Sequence, residues 1–444
     1  MKMKNSKIRM FIVEHKWILL IVLALFLERF YAGYTMGITY NIKSDDMSYI
    51  TSGIVFANTG AITMHGVLSA QIMPGMPVLL GVLSLVFGEG RALWFAMKLL
   101  WWLMGSLCAF FVYKSVTIFL PKGYGLIAAL GFFTVDFVWM DNVILTETPF
   151  MLCLCIMIYA TLMMVKNKNY FWLCAISYML ALMFKANIAL YPLFAMCYLL
   201  LKKYNLKVFI RQCFILSAMI LCFVIPWSIR NYIHYDEFIP LTWGSGNPML
   251  LGTYQGHGYP LDEQLDYVEN VEKVAEKKFA RYYDENGEPK KDYYPKYIAL
   301  ETDGIKARYR LKEWAKSDIL SLIDSYMIVK PIEMLDDVFF WDTLWNIDSH
   351  DVQALRKFDR WVCLFVIFLA FYLKKFRKEI GYLVLVYMGN IYIYAMTFSF
   401  NRYAETLMPL RFMIVGIGCY LIICFTRQLL EFNGQKLIVD TENE

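Results

Sequence analysis

The sequence predicts an all-α polytopic membrane protein: a bundle of about ten transmembrane helices, external juxtamembrane helices and a mostly helical external segment. Composition is the first reason. Of 444 residues, 59% are hydrophobic and 17% aromatic, and only 18% are charged, against about a quarter charged in an ordinary soluble chain. The second is a series of long apolar runs, several of them 17 residues or more. The third is charge placement, because the basic residues sit in short clusters between the runs. The net charge of +5 therefore speaks for orientation rather than for a nucleic-acid partner.

The runs cover residues 17–36, 74–88, 91–113, 124–142, 148–165, 170–185, 187–201, 208–226, 358–373, 380–398 and 404–426. The run 74–88, PGMPVLLGVLSLVFG, decides how the others cross. Its fifteen residues give a helix of roughly 22 Å, short of a ~30 Å hydrocarbon core. If it crossed, KNK at 166–168 and KKYNLKVFIR at 202–211 would both lie outside, against the positive-inside rule. Left at the interface, it puts Lys114, Lys122, Lys166, Lys168, Lys202, Lys203, Lys207, Arg211 and KKFRK at 374–378 on the cytosolic side. The expected arrangement is a multi-pass protein of the cell membrane with both termini cytosolic. The N-terminal MKMKNSKIRMFIVEHK reads as a basic cytosolic flank leading into an uncleaved anchor.

This topology places residues 37–90, the junction at Glu147, the break at Lys185, the segment 227–357 and the turn at 399–403 on the external side. Three regions are expected: an N-terminal transmembrane module, 1–226, with an active first external loop, 37–90; an extracytoplasmic cap, 227–357; and C-terminal transmembrane helices with a cytosolic tail, 358–444. Mixed-charge stretches in the cap carry apolar residues at helical spacing, separated by the turn signals ENGEP and YYP. The ten cysteines lie in or beside apolar segments, so they read as small core residues rather than as a disulfide framework.

Ionisable residues among apolar runs need a reason, since each costs about 2.5–3.5 kcal/mol on insertion scales. Lys185, in MLALMFKANIALYP, sits at the tip of two short helical arms together with Asn187. Irregular backbone at such a place lines a wet or protein-filled cavity, and an ammonium there suits a phosphate; the plainer reading is a lysine that snorkels to the interface. Glu147 opens a span, where it either compensates the helix dipole or serves a site. Asp136 pairs with a bundle cation or is functional, and Glu28–Arg29 is a local pair or an interfacial anchor. His65 and His257 are too isolated for a zinc site, and no HExxH, CxxC, P-loop or Gly-rich dinucleotide motif occurs.

The most unusual polar feature is IKSDDMSY, residues 42–49, with Asp45 and Asp46 adjacent between apolar runs. Five elements follow one another: Asp45, Asp46 and Tyr49; Gly60 followed by MPGMPVLLGVLSLVFG; Glu147 and Lys185; PWSIRNYIHYDEF, with Arg230 and Asn231; and NRYAETLMP, with Arg402, Tyr403 and Pro409. In order and spacing the set resembles the GT-C glycosyltransferases that use lipid-linked sugars. It is most similar to bacterial relatives of protein O-mannosyltransferases and to the lipid A aminoarabinose transferase. Each motif is short, and their joint order carries the likeness. Gln71 stands where some relatives have a second carboxylate, which removes one ligand of a two-carboxylate metal site. The resemblance does not extend to the C-terminal external domain of the larger transferases.

What the resemblance implies is transfer of a sugar from a polyprenyl-phosphate or diphosphate carrier to an acceptor hydroxyl outside the membrane. The acceptor is a glycan, a lipid or a protein. A hydroxyl is a weak nucleophile, so a carboxylate base is needed, worth about 10²–10⁴-fold. Asp45 is the expected base and Asp46 its helper. Fixed cations stabilise the leaving phosphate, and Lys185, Arg230 and Arg402 are the candidates, with Tyr49, Glu147, Asn231 and Tyr403 as further substrate contacts. A single displacement inverts the anomeric carbon. No cofactor is assigned; a divalent metal stays open, with no residues allotted to it. The alternatives are a flippase or transporter of lipid-linked sugars, which favours paired broken helices at mid-membrane, and a non-catalytic membrane subunit.

Overall fold

The computed structural model describes residues 10–432; most of the basic N-terminal flank and the end of the expected cytosolic tail lie outside the described residues. Ten helical segments occupy the places of the ten expected crossings. They are α1 (Lys16–Met36), α4 (Arg91–Val116), α5 with its following turn (Lys122–Phe133), α7 (Glu147–Met164), α8 (Tyr170–Phe184), α9 (Tyr191–Leu201), α10 (Leu206–Tyr235), α16 (Ser349–Tyr372), α17 (Arg377–Ala395) and α19 (Met408–Phe432). Five of these, α1, α4, α7, α10 and α19, are individually long and apolar enough to cross a membrane. The run around 124–142 is broken: Thr134 is extended, and a short α6 (Val135–Met140) follows it.

The first polar loop folds into α2 (Asp45–Thr59), a two-stranded hairpin, β1 (Thr63–Met64) and β2 (Val67–Leu68), and α3 (Gly75–Phe87). Here α3 is the short apolar run that was expected to stay at the interface. It packs across α2 at a point where two glycines meet. A Cβ on Gly53 would stand 2.5 Å from the Leu80 Cβ, and one on Gly81 would stand 3.1 Å from the Gly53 carbonyl oxygen. Without side chains at that crossing the backbones approach closely.

The expected cap, residues 227–357, is mostly helical, with α11 (Gly246–Gly252), α12 (Lys273–Phe279), α13 (Tyr294–Ser317), α14 (Ile319–Asp324) and α15 (Lys330–Asp336). Its core is aromatic: Trp227, Tyr235, Trp243, Phe279, Tyr282, Tyr293, Tyr294 and Tyr297 are buried together. The expected divisions at 226/227 and 357/358 both fall inside helices. α10 passes through Pro226 to Tyr235, and α16 begins at Ser349. Both ends of the segment 227–357 are thus continuous with long helices.

Buried ion pairs hold the bundle where apolar packing alone would leave charges stranded. Arg29 turns to Asp141, with Nε 2.6 Å from Oδ2, and Thr148 donates to the other carboxylate oxygen at 2.6 Å; the neighbouring Glu28 is farther off, at 3.7 Å. Asp136 is paired with Arg356, which also reaches Glu405 at 2.7 Å. This settles Asp136 as a bundle pair, and it anchors the short helix α18 (Asn401–Glu405). A third device grips the segment before α18. Gln255 donates to the Ser399 carbonyl at 2.7 Å and accepts from its N–H at 2.8 Å, while the buried Lys330 donates to the Thr397 carbonyl at 2.9 Å.

Candidate active site

Four charged side chains from four separate elements form an alternating chain. Lys185 lies in the break between α8 and the 3₁₀ turn Ala186–Leu190, with extended backbone. Its Nζ is 2.7 Å from Glu147 Oε1. The same oxygen is 3.2 Å from Nε of Arg402, and Arg402 Nη1 donates to Asp45 Oδ2 at 2.9 Å. Glu147 is fully buried, whereas Asp45 keeps 27% of its side chain exposed. Thr146, the residue before α7, donates to the second oxygen of Glu147 at 3.1 Å.

Paired in this way, each charge offsets its neighbour, which a low-dielectric setting requires. Burial works against the charge of Arg402, but Glu147 and Asp45 outweigh it and hold the proton more firmly than on a free arginine.

The chain opens on a cavity of about 190 Å³ lined by Tyr49, Gln71, Thr146, Lys185, Asn187, Arg402 and Tyr403, together with Thr242 of the cap and Tyr394 of α17. Tyr394 and Tyr403 stack with ring centroids 4.5 Å apart, and Lys185 Nζ lies 4.9 Å from the Tyr403 ring centroid. The Asn187 amide nitrogen and the Tyr394 hydroxyl are buried without hydrogen-bond partners. The two side chains neighbour each other, and both border the cavity.

Six of the residues singled out from sequence thus converge: Asp45, Tyr49, Glu147, Lys185, Arg402 and Tyr403. Three do not join them. The Asp46 side chain is buried and turned into the fold. It accepts from the backbone N–H groups of Ile42 at 2.8 Å, Ser44 at 3.0 Å and Met47 at 2.9 Å, so its carboxylate fastens the loop that presents Asp45. Arg230 donates to the Ser69 carbonyl at 3.0 Å, and Asn231 to the Ile239 carbonyl at 2.9 Å. A two-stranded hairpin leaves carbonyls unpaired at its base, and Arg230 meets that need instead of lining the cavity.

Sequence reasoning missed Tyr394, Thr242 and Lys98. Tyr394 lies in an aromatic-rich span with no local signal. Lys98 is buried in α4 and donates to the Tyr40 carbonyl at 2.9 Å and to the Asn142 carbonyl. It joins the loop bearing Asp45 to the junction bearing Glu147. A lone lysine in an apolar helix was the available clue. Among the described residues no group of three or more His, Cys, Asp or Glu side chains is placed to hold a metal ion.

Comparison with known proteins defines the class. The chain superposes on the oligosaccharyltransferase AglB of Archaeoglobus fulgidus, in its complex with an inhibitory peptide and a dolichol-phosphate. The TM-score is 0.54 at 10% identity, over 97% of this chain and 53% of that one; the chain spans about half the length of AglB. ArnT of Cupriavidus metallidurans bound to undecaprenyl phosphate also matches, at 14% identity over 95% of this chain and 81% of that one, with a TM-score of 0.42. This is a multi-pass membrane protein with the GT-C glycosyltransferase fold.

Within that fold, a more particular likeness comes from sequence. Residues 69–229 match the family model described as dolichyl-phosphate-mannose-protein mannosyltransferase. That stretch holds Glu147, Lys185 and the whole N-terminal module from the hairpin onward. No curated protein matches the chain.

Proposed function

We propose that the protein moves a sugar from a polyprenyl-phosphate carrier to an acceptor hydroxyl on the extracytoplasmic face, by a single displacement that inverts the anomeric carbon. The observation that carries this reading is the Asp45–Arg402–Glu147–Lys185 chain at one cavity. It sets a partly exposed carboxylate beside one fixed cation, Arg402, with a second, Lys185, one link further along, which are the parts that deprotonating a hydroxyl and stabilising a leaving phosphate require.

In this account the donor phosphate lies in the cavity against Lys185 and Arg402, with Asn187 and Tyr394 supplying hydrogen bonds. Asp45 Oδ2 is held by Arg402, and Oδ1 is left to take the acceptor proton. As C1 bonds to the acceptor oxygen, the C1–O(phosphate) bond breaks and the phosphate leaves with the electron pair. Asp46 acts through Asp45, by fixing its loop. The isoprenoid tail would descend from Lys185 along α8 toward an apolar cavity of about 170 Å³ lined by Tyr178, Cys174 and Phe171 of α8 and by Met196, Leu199 and Phe209.

The sidedness follows the basic loops, which gather at the other end of the bundle. Lys166 donates to the Ile118 carbonyl, Lys378 to the Leu201 carbonyl, and Lys202 pairs with Glu379. By the positive-inside rule that end is cytosolic. The region 227–357 is then an external cap, and the acceptor, whether glycan, lipid or protein, approaches between it and α2.

The test is reconstitution of the full chain in proteoliposomes with a panel of radiolabelled polyprenyl-phosphate sugars and candidate acceptors. Covalent transfer to an acceptor, with inverted anomeric configuration, is the expected result. Sugar that crosses the bilayer without becoming covalently attached would instead indicate a flippase.

A further inference from the structure

A proton taken by Asp45 has to leave again before the next turnover, and one oxygen of that carboxylate is already occupied by Arg402. The free oxygen, Oδ1, faces His65, whose Nε2 is 3.9 Å away. A gap of that length is one that a single water or a small side-chain movement closes. Three features make His65 more than a passing surface residue.

The first is its placement by the backbone. His65 and Gly66 form the two-residue tip of the β1–β2 hairpin, with φ of +52° and +82°, the left-handed pair that a tight hairpin turn demands. Histidine is one of the few side-chain-bearing residues that adopt positive φ readily, so the turn can hold the ring there at little strain. The second is its orientation. Nδ1 lies 3.1 Å from the Ser48 hydroxyl, one turn along α2 from Asp45, and this contact turns Nε2 toward the carboxylate.

The third is the support of the hairpin. Arg230 grips its base at Ser69 O, Tyr235 donates to the Leu68 carbonyl at 3.0 Å, and the Ser52 hydroxyl accepts from the Thr63 N–H at 3.1 Å. The Trp-x-x-Arg-Asn element, which does not reach the cavity, thereby holds the hairpin whose tip carries His65. The side chain keeps 40% of its surface exposed, so it faces Asp45 on one side and solvent on the other.

We propose that His65 is the proton relay of this site: it accepts from Asp45 Oδ1 the proton taken from the acceptor hydroxyl and passes it to bulk water. This rests on the transferase reading above. The steps balance. The acceptor O–H proton moves to Asp45 as the new glycosidic bond forms and the phosphate leaves with its electron pair. The proton then moves from Asp45 to Nε2, giving an imidazolium, and from there to water, restoring carboxylate and neutral ring. His65 touches no reacting atom of the sugar; it acts through Asp45.

The test uses His65→Gly in the full reconstituted chain, because glycine suits the positive φ and vacates the space of the ring. His65→Asn, which also tolerates the left-handed turn, controls for the cavity. With the polyprenyl-phosphate sugar that the wild type turns over, His65→Gly is expected to lower kcat about tenfold at unchanged donor KM. That is less than the ~10² of a first proton acceptor, since water also takes the proton. Added imidazole is expected to restore the rate in His65→Gly but not in His65→Asn. A purely structural histidine would not be rescued. Wild-type kcat in both variants, or a loss that imidazole leaves untouched, would overturn the relay. A wild type silent on every donor would remove the transferase reading and the relay with it, so the two failures are told apart by the wild-type arm.

Discussion

Adjacent aspartates take opposite roles here because both lie in the first turn of α2, where successive side chains point about 100° apart. Asp45 accepts from Arg402, a residue that lines the cavity, while Asp46 is consumed by three backbone N–H groups. An amide at position 46 would keep one acceptor oxygen and place donors against donors. Asp46→Asn is therefore expected to cost about 1–3 kcal/mol, read as a fall in Tm in detergent, with Asp45→Asn losing less. A similar contrast applies to the buried pair. Lys185→Met strands part of the charge on Glu147, a loss of about 3–5 kcal/mol when a buried partner is removed, toward the lower end because Arg402 remains. The double variant Lys185→Met/Glu147→Gln is expected to be more stable than the single one, and a double-mutant cycle by thermal unfolding checks it. Equal or lower stability of the double variant would contradict the pairing.

At this scale the sequence was legible where a charge stood among apolar residues. Asp45, Glu147, Lys185 and Arg402 were each conspicuous, and their convergence followed. Asp46 and Arg230 were equally conspicuous, yet their charge is spent on backbone groups, a use that no spacing reveals. Tyr394 and Thr242 were invisible because a tyrosine in an aromatic span and a threonine in a loop look like their neighbours.

Among the elements, the α2–α3 crossing fixes the helix that carries Asp45. The length of α3 was readable, since fifteen apolar residues are too few to cross. Its partner was not, because α2 has a weak apolar pattern and begins with two acids. The contact is glycine on backbone, so Gly53→Ala must push α2 away from Leu80. A loss of about 1–3 kcal/mol from overpacking is expected, together with reduced transfer as Asp45 shifts. Thermal unfolding and transfer assays on that variant check both, and unchanged activity would mean that the crossing does not set the base. The break at Lys185 was likewise foreseen from charge and arm length, whereas the grip of Gln255 and Lys330 on residues 397–399 is long-range and left no local trace.

For the whole molecule, hydropathy gave the order of the apolar helices, because lipid makes apolar length obligatory. It gave less of the boundaries: α10 and α16 run past the hydrophobic edge into the cap, driven by aromatic packing around Tyr235 and by the Asp348 capping box of α16. The orientation rests on the basic loops, and it makes a direct prediction. A cysteine at the exposed Asn286 should react with a membrane-impermeant maleimide in intact cells, and one at Lys168 only after permeabilisation. The reverse pattern would place the site in the cytosol.

The central claim is that Asp45 is the base of a sugar transfer. It is tested most directly by Asp45→Asn, assayed for transfer and for carrier binding in the same proteoliposomes. The account predicts that transfer falls by about 10²–10⁴-fold, while the variant inserts and binds the polyprenyl-phosphate sugar through Lys185 and Arg402. Transfer at the wild-type rate in that variant would contradict it.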